Sequence, residues 1–355
     1  LPLSPAGITV VHTLLHFIAY AGLYIIWFQI FRRWRFTKCE RLMIWSLPIW
    51  LLFSSFWTDL GYLNIYIIMA FLGTLFIYTV IEENLPMAIL WLSIILQVKP
   101  HWAFALGVPL LLGRFRFFFK LLGFSFVAFL LIVSLVILIM GPTYGLQQYI
   151  EYIDFLIKLN RIFPWRTQND GFIGYNNSIK QIVVYILGIA PWSFLIATLV
   201  KIILLAPLAW IALHYLRCPS REPGYKIPEE ALDLAFVLYT GTFIWLDMVW
   251  ELSLGVPLFI YLLGTLAQPL ARALASVTFL PYALLDPWRT FSLGFNAFGW
   301  DVVAPGLYLL IDPSIYIPLI MISILVFYTL LICRLREKPG FQFDSAGPDI
   351  QTSEA

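Results

Sequence analysis

Long apolar runs, separated by short polar connections, recur along almost the whole of this 355-residue chain. Hydrophobic residues make up 61% of it and charged residues 12%, and the mean hydropathy is +0.87. A helix of about 20 apolar residues is long enough to cross a bilayer, where only helices and closed barrels satisfy all their backbone polar groups. The runs therefore predict an all-α polytopic membrane protein without a separate soluble domain.

The lengths of the runs predict about 10–12 transmembrane helices. The stretch 183–216 is too long for one simple crossing, and its first turns are expected along the membrane interface. The transmembrane domain is predicted to cover 1–333, with outer loops of short helices at 58–64, 141–181 and 286–314, and a disordered cytoplasmic tail at 334–355. The predicted spans are 8–31, 43–57, 62–81, 85–98, 101–112, 121–140, 183–216, 231–249, 253–270, 273–285 and 315–333.

The basic residues orient this arrangement. Fifteen of the 22 lysines and arginines fall in one set of alternating loops, which the positive-inside rule assigns to the cytoplasm. The sequence thus predicts a multi-pass protein of the bacterial plasma (inner) membrane with a cytoplasmic C-terminus. The same orientation puts Leu1 outside, so either one further span is expected upstream of Leu1 or the count of spans is off by one.

Several classes of function lack a signature in this sequence. The net charge is +2 and no basic cluster is interleaved with aromatic residues, which argues against a nucleic-acid partner. No HExxH, Walker A, GxSxG or dinucleotide-binding motif occurs. His12 and His16, four residues apart, are the one candidate pair for a metal or a tetrapyrrole, and the sequence alone assigns no metal ligands.

Lys99 is the most unusual charge, because it lies in the middle of the apolar run 85–112. A lysine at the centre of a bilayer costs about 2.5–3.5 kcal/mol or more, so it suggests a functional site. Pro100 removes a backbone donor and disfavours helix at the residue before it, which predicts that a helix ends or kinks at Lys99. The charge pattern places this break on the outer side, where the lysine can also simply reach the interface.

Other polar groups are predicted on the same outer side. Asp59 lies in the turn 58–64, and the run 176–178 (Asn-Asn-Ser) supplies amide and hydroxyl groups of the kind that hold sugars or phosphate. Asp247 and Glu251 are four residues apart, so they would share one helix face and act together or bind a cation; as acids at a span end they can also simply be solvated.

These pieces, in this order, resemble glycosyltransferase family 87 (the former DUF2029 group) of the GT-C superfamily, whose members use polyprenol-phosphate-linked sugars. The resemblance covers roughly residues 1–270. It is carried by the proline-bearing entry 1–5, by 61–64 (Gly-Tyr-Leu-Asn, similar to a Gly-Gln-x-Asn turn), by 97–100 (Gln-Val-Lys-Pro, similar to a Lys-Pro motif), by 175–179 (Tyr-Asn-Asn-Ser-Ile, similar to Asn-Gln-Ser-Leu) and by 250–251 (Trp-Glu, similar to a Trp-x-His turn).

The sequence departs from the family pattern at three places. Tyr62 stands where the family has glutamine, and Leu252 and Ser253 stand where histidine is common. The acidic residue that such enzymes carry in the first outer loop would lie upstream of Leu1, so the main catalytic base is expected there.

The resemblance implies a GT-C-like fold and transfer of a sugar, as in mannosyltransferases, from a polyprenyl-phosphate donor to a lipid or glycan acceptor on the outer face. It implies membrane lipids and the lipid-linked donor as partners, no certain cofactor, and room for a divalent cation. Lys99, assisted by His101, would hold the donor phosphate; Asp59 and Glu251 are substitute catalytic carboxylates. Sugar or acceptor binding is assigned to Gly61, Asn64, Asn176, Ser178 and Trp250.

Two alternatives remain open from the sequence. A chain of this fold without its acidic loop would serve as a non-catalytic, GT-C-like scaffold subunit of a larger membrane protein complex, for which the 14 tryptophans offer packing surface. A transporter or lipid flippase with Lys99 at its substrate site is the other, although no inverted repeat supports it.

Overall fold

A computed structural model describes residues 4–170, 173–174, 176–217, 228–284 and 313–337. Within these ranges the regular structure is entirely helical, as the sequence predicts, and includes two 3₁₀ helices, Pro100–Leu106 and Gln168–Asp170. The α helices are α1 Pro5–Arg33, α2 Thr37–Trp45, α3 Leu47–Leu52, α4 Ser54–Gly61, α5 Tyr66–Ile81, α6 Leu85–Val98, α7 Gly107–Leu111, α8 Phe115–Met140, α9 Pro142–Ile162, α10 Ile179–Leu187, α11 Pro191–Arg217, α12 Pro228–Trp245, α13 Gly255–Thr265, α14 Pro269–Ala283 and α15 Pro313–Glu337.

Four helices in the described ranges are long and apolar enough to cross a membrane: α1, α8, α11 and the part of α15 from Leu319 to Glu337. The segments Leu47–Gly61 and Tyr66–Ile81 together form a fifth candidate, bent by 115°. Only 6% of the apolar part of α8 is buried, which leaves an apolar surface of the kind that contacts lipid or another protein. The larger count of about 10–12 transmembrane helices stays a prediction.

The single span predicted at 43–57 is wrong in detail. The structure divides it among α2, α3 and α4, with breaks at Ser46 and Phe53. Pro48 lies in the first turn of α3, where a proline is tolerated because its missing N–H has no partner in a helix start. At Phe53 the backbone is extended, so α4 begins anew and runs through Gly61 into the region predicted as a turn.

The helix break predicted at Lys99 is confirmed. Helix α6 ends at Val98, Lys99 has an extended-type backbone (φ −145°, ψ 89°), and Pro100 opens the 3₁₀ helix. The stretch predicted as a short span at 101–112 is this 3₁₀ helix followed by the five-residue α7. Lys99 therefore lies at the junction between two helices, where the α-helical backbone is interrupted.

Two predicted polar regions are partly helical. The first part of the loop 141–181 forms the exposed, amphipathic helix α9. Helix α15 continues through Glu337, into the segment predicted as the start of the tail. The rest of that tail, from 338 onward, and almost all of the loop 286–314 lie outside the described residues.

The core is built around α5, α12 and α13. Trp27 of α1 stacks on Phe236 of α12 with ring centroids 5.3 Å apart, and its indole N–H donates to Thr74 of α5 at 3.0 Å. Trp102, from the 3₁₀ helix, is 1% exposed and packs against Tyr239 of α12 at 5.7 Å. These aromatic contacts fix the break at Lys99 against the centre of the protein.

This packing predicts that a larger residue cannot replace Gly73, which faces Trp102, without loss of stability. A Cβ on Gly73 of α5 would lie 2.9 Å from Cε3 of the buried Trp102 ring, whereas a Cβ on Gly123 of α8 meets nothing within 4 Å. Overpacking of a core typically costs about 1–3 kcal/mol. We expect Gly73→Ala to lower the thermal unfolding midpoint of the detergent-solubilised protein and Gly123→Ala to leave it unchanged or slightly raised. Equal midpoints in the two variants would contradict this packing.

Candidate functional site

Asp59 organises the corner between α4 and α5. Its Oδ1 accepts the backbone N–H of Tyr66 at 3.2 Å and its Oδ2 that of Ile67 at 2.8 Å, while its own carbonyl accepts the N–H of Asn64 at 2.9 Å. The first N–H groups of a helix have no partner within the helix, and a carboxylate there is favoured by the helix dipole. A fully buried aspartate thus caps α5 and fixes the bend before it.

The same carboxylate holds a histidine from α1. His16 Nε2 lies 2.7 Å from Asp59 Oδ2, and both side chains are 0% exposed. A carboxylate can only accept, so the ring donates through Nε2. Asp59 and His16 are 43 positions apart, and no sequence motif links them. The pairing was not predicted from the sequence.

Lys99 reaches the same corner from the other side. Its Nζ lies 3.4 Å from the centroid of the Tyr66 ring, and it makes no hydrogen bond or ion pair with the described residues. Burial lowers the pKa of Lys99 from its ordinary 10.5 to about 8, and the charge of Asp59 opposes that change. An ammonium over an aromatic face gains about 0.5–2 kcal/mol, which is weaker compensation than a carboxylate in contact would give. Lys99 is therefore a cation that can accept an anionic ligand.

Glu251 completes the group. It is buried, and the hydroxyl of Tyr282 donates to its Oε2 at 2.7 Å. The carboxylates of Glu251 and Asp59 both lie close enough to the Tyr66 hydroxyl to act on it electrostatically. We call Asp59, Tyr66, Lys99 and Glu251 the carboxylate–lysine cluster. Tyr66 thus links three residues that the sequence singled out: Asp59 accepts its N–H, Lys99 lies over its ring, and Glu251 acts electrostatically on its hydroxyl.

Asp247 and Glu251 do not share a helix face, contrary to the prediction. Helix α12 ends at Trp245, and the chain to α13 is irregular, so four-residue spacing has no helical meaning there. Glu251 is held by Tyr282, whereas Asp247 bonds Lys180 at 2.9 Å and Lys201 at 2.5 Å. The two acids therefore bond to different helices: Glu251 to α14, and Asp247 to α10 and α11.

The two lysines that bond Asp247 connect α10 and α11 to the chain that follows α12. Lys201, on α11, also donates to the carbonyls of Trp245 and Leu246, which close the end of α12. Burial by itself would raise the pKa of Asp247, but the hydrogen bonds from Lys201 and Lys180 outweigh it and hold that pKa below its usual range. The sequence indicated this connection only through Lys201, a lone lysine in the apolar run 191–213.

The run 176–178 faces inward. Asn176 accepts the N–H groups of Ser178 and Val249 and donates to the carbonyl of Asp247. Ser178 caps α10 through the N–H of Gln181 at 3.1 Å. These groups hold the connection between α12 and α13, so the sugar-binding role predicted for Asn176 and Ser178 stays a prediction without support from their positions.

The remaining predicted site residues lie nearby or at the rim. His101 is two residues from Lys99, close enough to interact with it electrostatically, and its buried Nε2 has no partner among the described residues. Gly61 is the exposed last residue of α4, and Asn64 is half-buried in the α4–α5 connection. Trp250 is half-buried next to Glu251, and its carbonyl accepts from Asn177.

No protein-family model, curated protein or solved structure is significantly similar to this chain.

The inward-facing run allows a test of its structural role. The Asn177 amide donates to the carbonyls of Val249 at 3.1 Å and Trp250 at 2.9 Å. The Val249 carbonyl also accepts the backbone N–H of Asn177 at 2.6 Å, so the Trp250 carbonyl is the acceptor that loses its described donor when the amide is removed. An acceptor left without a donor costs about 1–3 kcal/mol when it is buried. We expect Asn177→Ala to lower the thermal stability of the solubilised protein, and Gln148→Ala, on the exposed face of α9, to leave it unchanged. An unfolding midpoint for Asn177→Ala equal to that of the wild type would show that the hydrogen bonds of the Asn177 amide contribute nothing to stability.

Proposed function

We propose that this chain is a membrane glycosyltransferase, of the mannosyltransferase type, that transfers a sugar from a polyprenyl-phosphate donor to a lipid or glycan acceptor. The observation that supports it best is the carboxylate–lysine cluster. In it the Lys99 ammonium has no bonded anion among the described residues, the buried Asp59 acts on it electrostatically, and Glu251 acts on the neighbouring Tyr66. The proposal includes a GT-C-like arrangement of about 10–12 spans, an outer-face site, and a plasma-membrane location with a cytoplasmic C-terminus.

In this proposal Lys99 binds the phosphate of the donor. The acceptor hydroxyl oxygen bonds to the anomeric carbon as the bond from that carbon to the phosphate oxygen breaks, and the electron pair leaves with the polyprenyl phosphate. A fixed cation next to the departing phosphate stabilises the negative charge that develops there. Because Lys99 lies between an apolar helix end and the 3₁₀ helix, the lipid chain of the donor can stay in the membrane while its phosphate reaches the ammonium.

The acceptor hydroxyl must lose a proton, and within the described residues Glu251 is the better placed base. Both oxygens of Asp59 already accept hydrogen bonds from α5 and His16. Asp59 is therefore a positioning residue that holds Tyr66 beneath Lys99. Glu251 accepts the hydroxyl of Tyr282 at 2.7 Å, which orients its carboxylate.

Removal of the cation should lower the rate of transfer strongly without unfolding the protein. We expect Lys99→Met to lower transfer of labelled mannose from polyprenyl-phosphate mannose by about 10²–10³-fold, as for loss of one group that stabilises developing charge. It should also weaken binding of polyprenyl phosphate. Lys158→Met is the matched control, since Lys158 is exposed on α9 and, among the described residues, pairs with Asp154 alone. Lys99→Arg should keep part of the activity because it keeps the charge.

Two outcomes would contradict the proposal at different levels. Normal transfer by Lys99→Met would remove Lys99 from the mechanism. A wild-type protein that neither transfers the sugar nor binds polyprenyl phosphate, and that purifies with fixed amounts of other membrane proteins, would replace the enzyme by the scaffold-subunit alternative.

The base assignment has its own test. Glu251→Gln keeps an oxygen that accepts from Tyr282 but cannot take a proton at neutral pH. General-base catalysis contributes about 10²–10⁴-fold, so we expect transfer to fall within that range while polyprenyl phosphate still binds. Glu151→Gln, on exposed α9, is the control. Unchanged transfer rates in Glu251→Gln would exclude Glu251 as the base.

A further inference from the structure

Two of the four histidines of the chain lie one helical turn apart on α1. The ring centroids of His12 and His16 are 4.5 Å apart, with an angle of 39° between the ring planes. Residues four apart on a helix share one face, so this contact follows directly from the spacing.

Each ring presents a buried nitrogen that lacks a hydrogen-bond partner in the described part of the chain: Nε2 of His12 and Nδ1 of His16. Because His16 donates through Nε2 to Asp59, a neutral His16 has a lone pair at Nδ1. A buried polar atom without a partner is costly, so two of them on neighbouring rings indicate a missing ligand.

The arrangement at His16 is the one found around protein-bound metals. A histidine that binds a metal through one nitrogen almost always donates its other N–H to a carboxylate or carbonyl, which fixes the tautomer and makes the imidazole a better ligand. Asp59 provides this contact at 2.7 Å, and it is itself held by the N–H groups of α5.

We infer that His12 Nε2 and His16 Nδ1 bind a divalent transition-metal ion, with Asp59 as the carboxylate behind His16. Imidazole ligands suit Zn²⁺, Cu²⁺ and Ni²⁺ rather than Mg²⁺ or Ca²⁺. The described residues contain no group of three or more His, Cys, Asp or Glu side chains placed to hold a metal, so water or a phosphate oxygen would fill the other positions. His12 is half-buried, which gives the ion a way in.

This inference does not depend on the proposed glycosyltransferase activity. The test uses the full chain in detergent, stripped with a chelator and titrated with Cu²⁺, followed by electron paramagnetic resonance. We expect one saturable site whose spectrum shows splitting from two imidazole nitrogens, and for which Zn²⁺ competes only in large excess, since Cu²⁺ is the more tightly bound ion.

The variants locate the site. His12→Ala and His16→Ala should each weaken Cu²⁺ binding at least tenfold and remove the splitting from one nitrogen. His214→Ala is the control, because His214 lies in the last turn of α11; it should change neither the Cu²⁺ affinity nor the nitrogen splitting. Asp59→Asn should weaken binding about 10–100-fold while both nitrogens stay bound, as expected for a group behind the ligand.

The outcomes decide whether the two histidines bind a metal ion. Absence of a saturable Cu²⁺ site in the wild type, or binding of equal affinity in the His12→Ala variant, would overturn the inference. If His16→Ala fails to fold, His12→Ala still decides, because His12 is half-buried and makes no hydrogen bond with the described residues.

Discussion

The Asp59 carboxylate is the interaction on which the rest of this site depends. Its two oxygens join α5, through the N–H groups of Tyr66 and Ile67, to His16 of α1. The bend of 115° between Leu47–Gly61 and Tyr66–Ile81 places the start of α5 at the interior, and Asp59 supplies the acceptors that this helix start lacks. Tyr66, the first residue of α5, is thereby presented to Lys99.

Polar groups in an apolar surrounding need hydrogen-bond partners. Most of the polar residues that the sequence analysis singled out find theirs within the protein. Asn176 and Ser178 secure α10 and the α12–α13 connection, and Lys201 closes α12. By contrast, within the described ranges the Lys99 ammonium contacts an aromatic ring and no acceptor, and His101 has a buried nitrogen without a partner. The difference separates groups that stabilise the fold from groups that remain available to a ligand.

Local rules predicted local structure well. Pro100 sufficed to place the helix break at Lys99, and the apolar runs sufficed for an all-helical chain. Run length could not show that 43–57 breaks twice, at Ser46 and Phe53. Nor could it show the 115° bend after Gly61, where Asp59 bonds both α5 and the distant His16. Helical spacing likewise misplaced Asp247 and Glu251 on one face, because α12 ends before both. The partners that hold Asp59, Asp247 and Glu251 are distant in the sequence, and helical periodicity carries no information about them.

The two proposed ligand sites share one residue and are therefore coupled. Asp59 lies between the histidine pair and Lys99: it bonds His16 and acts electrostatically on Lys99. A divalent cation at the histidines would offset the negative charge of Asp59 and raise the positive potential felt by an anion at Lys99. If the metal strengthens phosphate binding by some factor, linkage requires phosphate to strengthen metal binding by the same factor. An Asp59→Asn variant should then show both weaker metal binding and a smaller coupling, because the shared charge is gone.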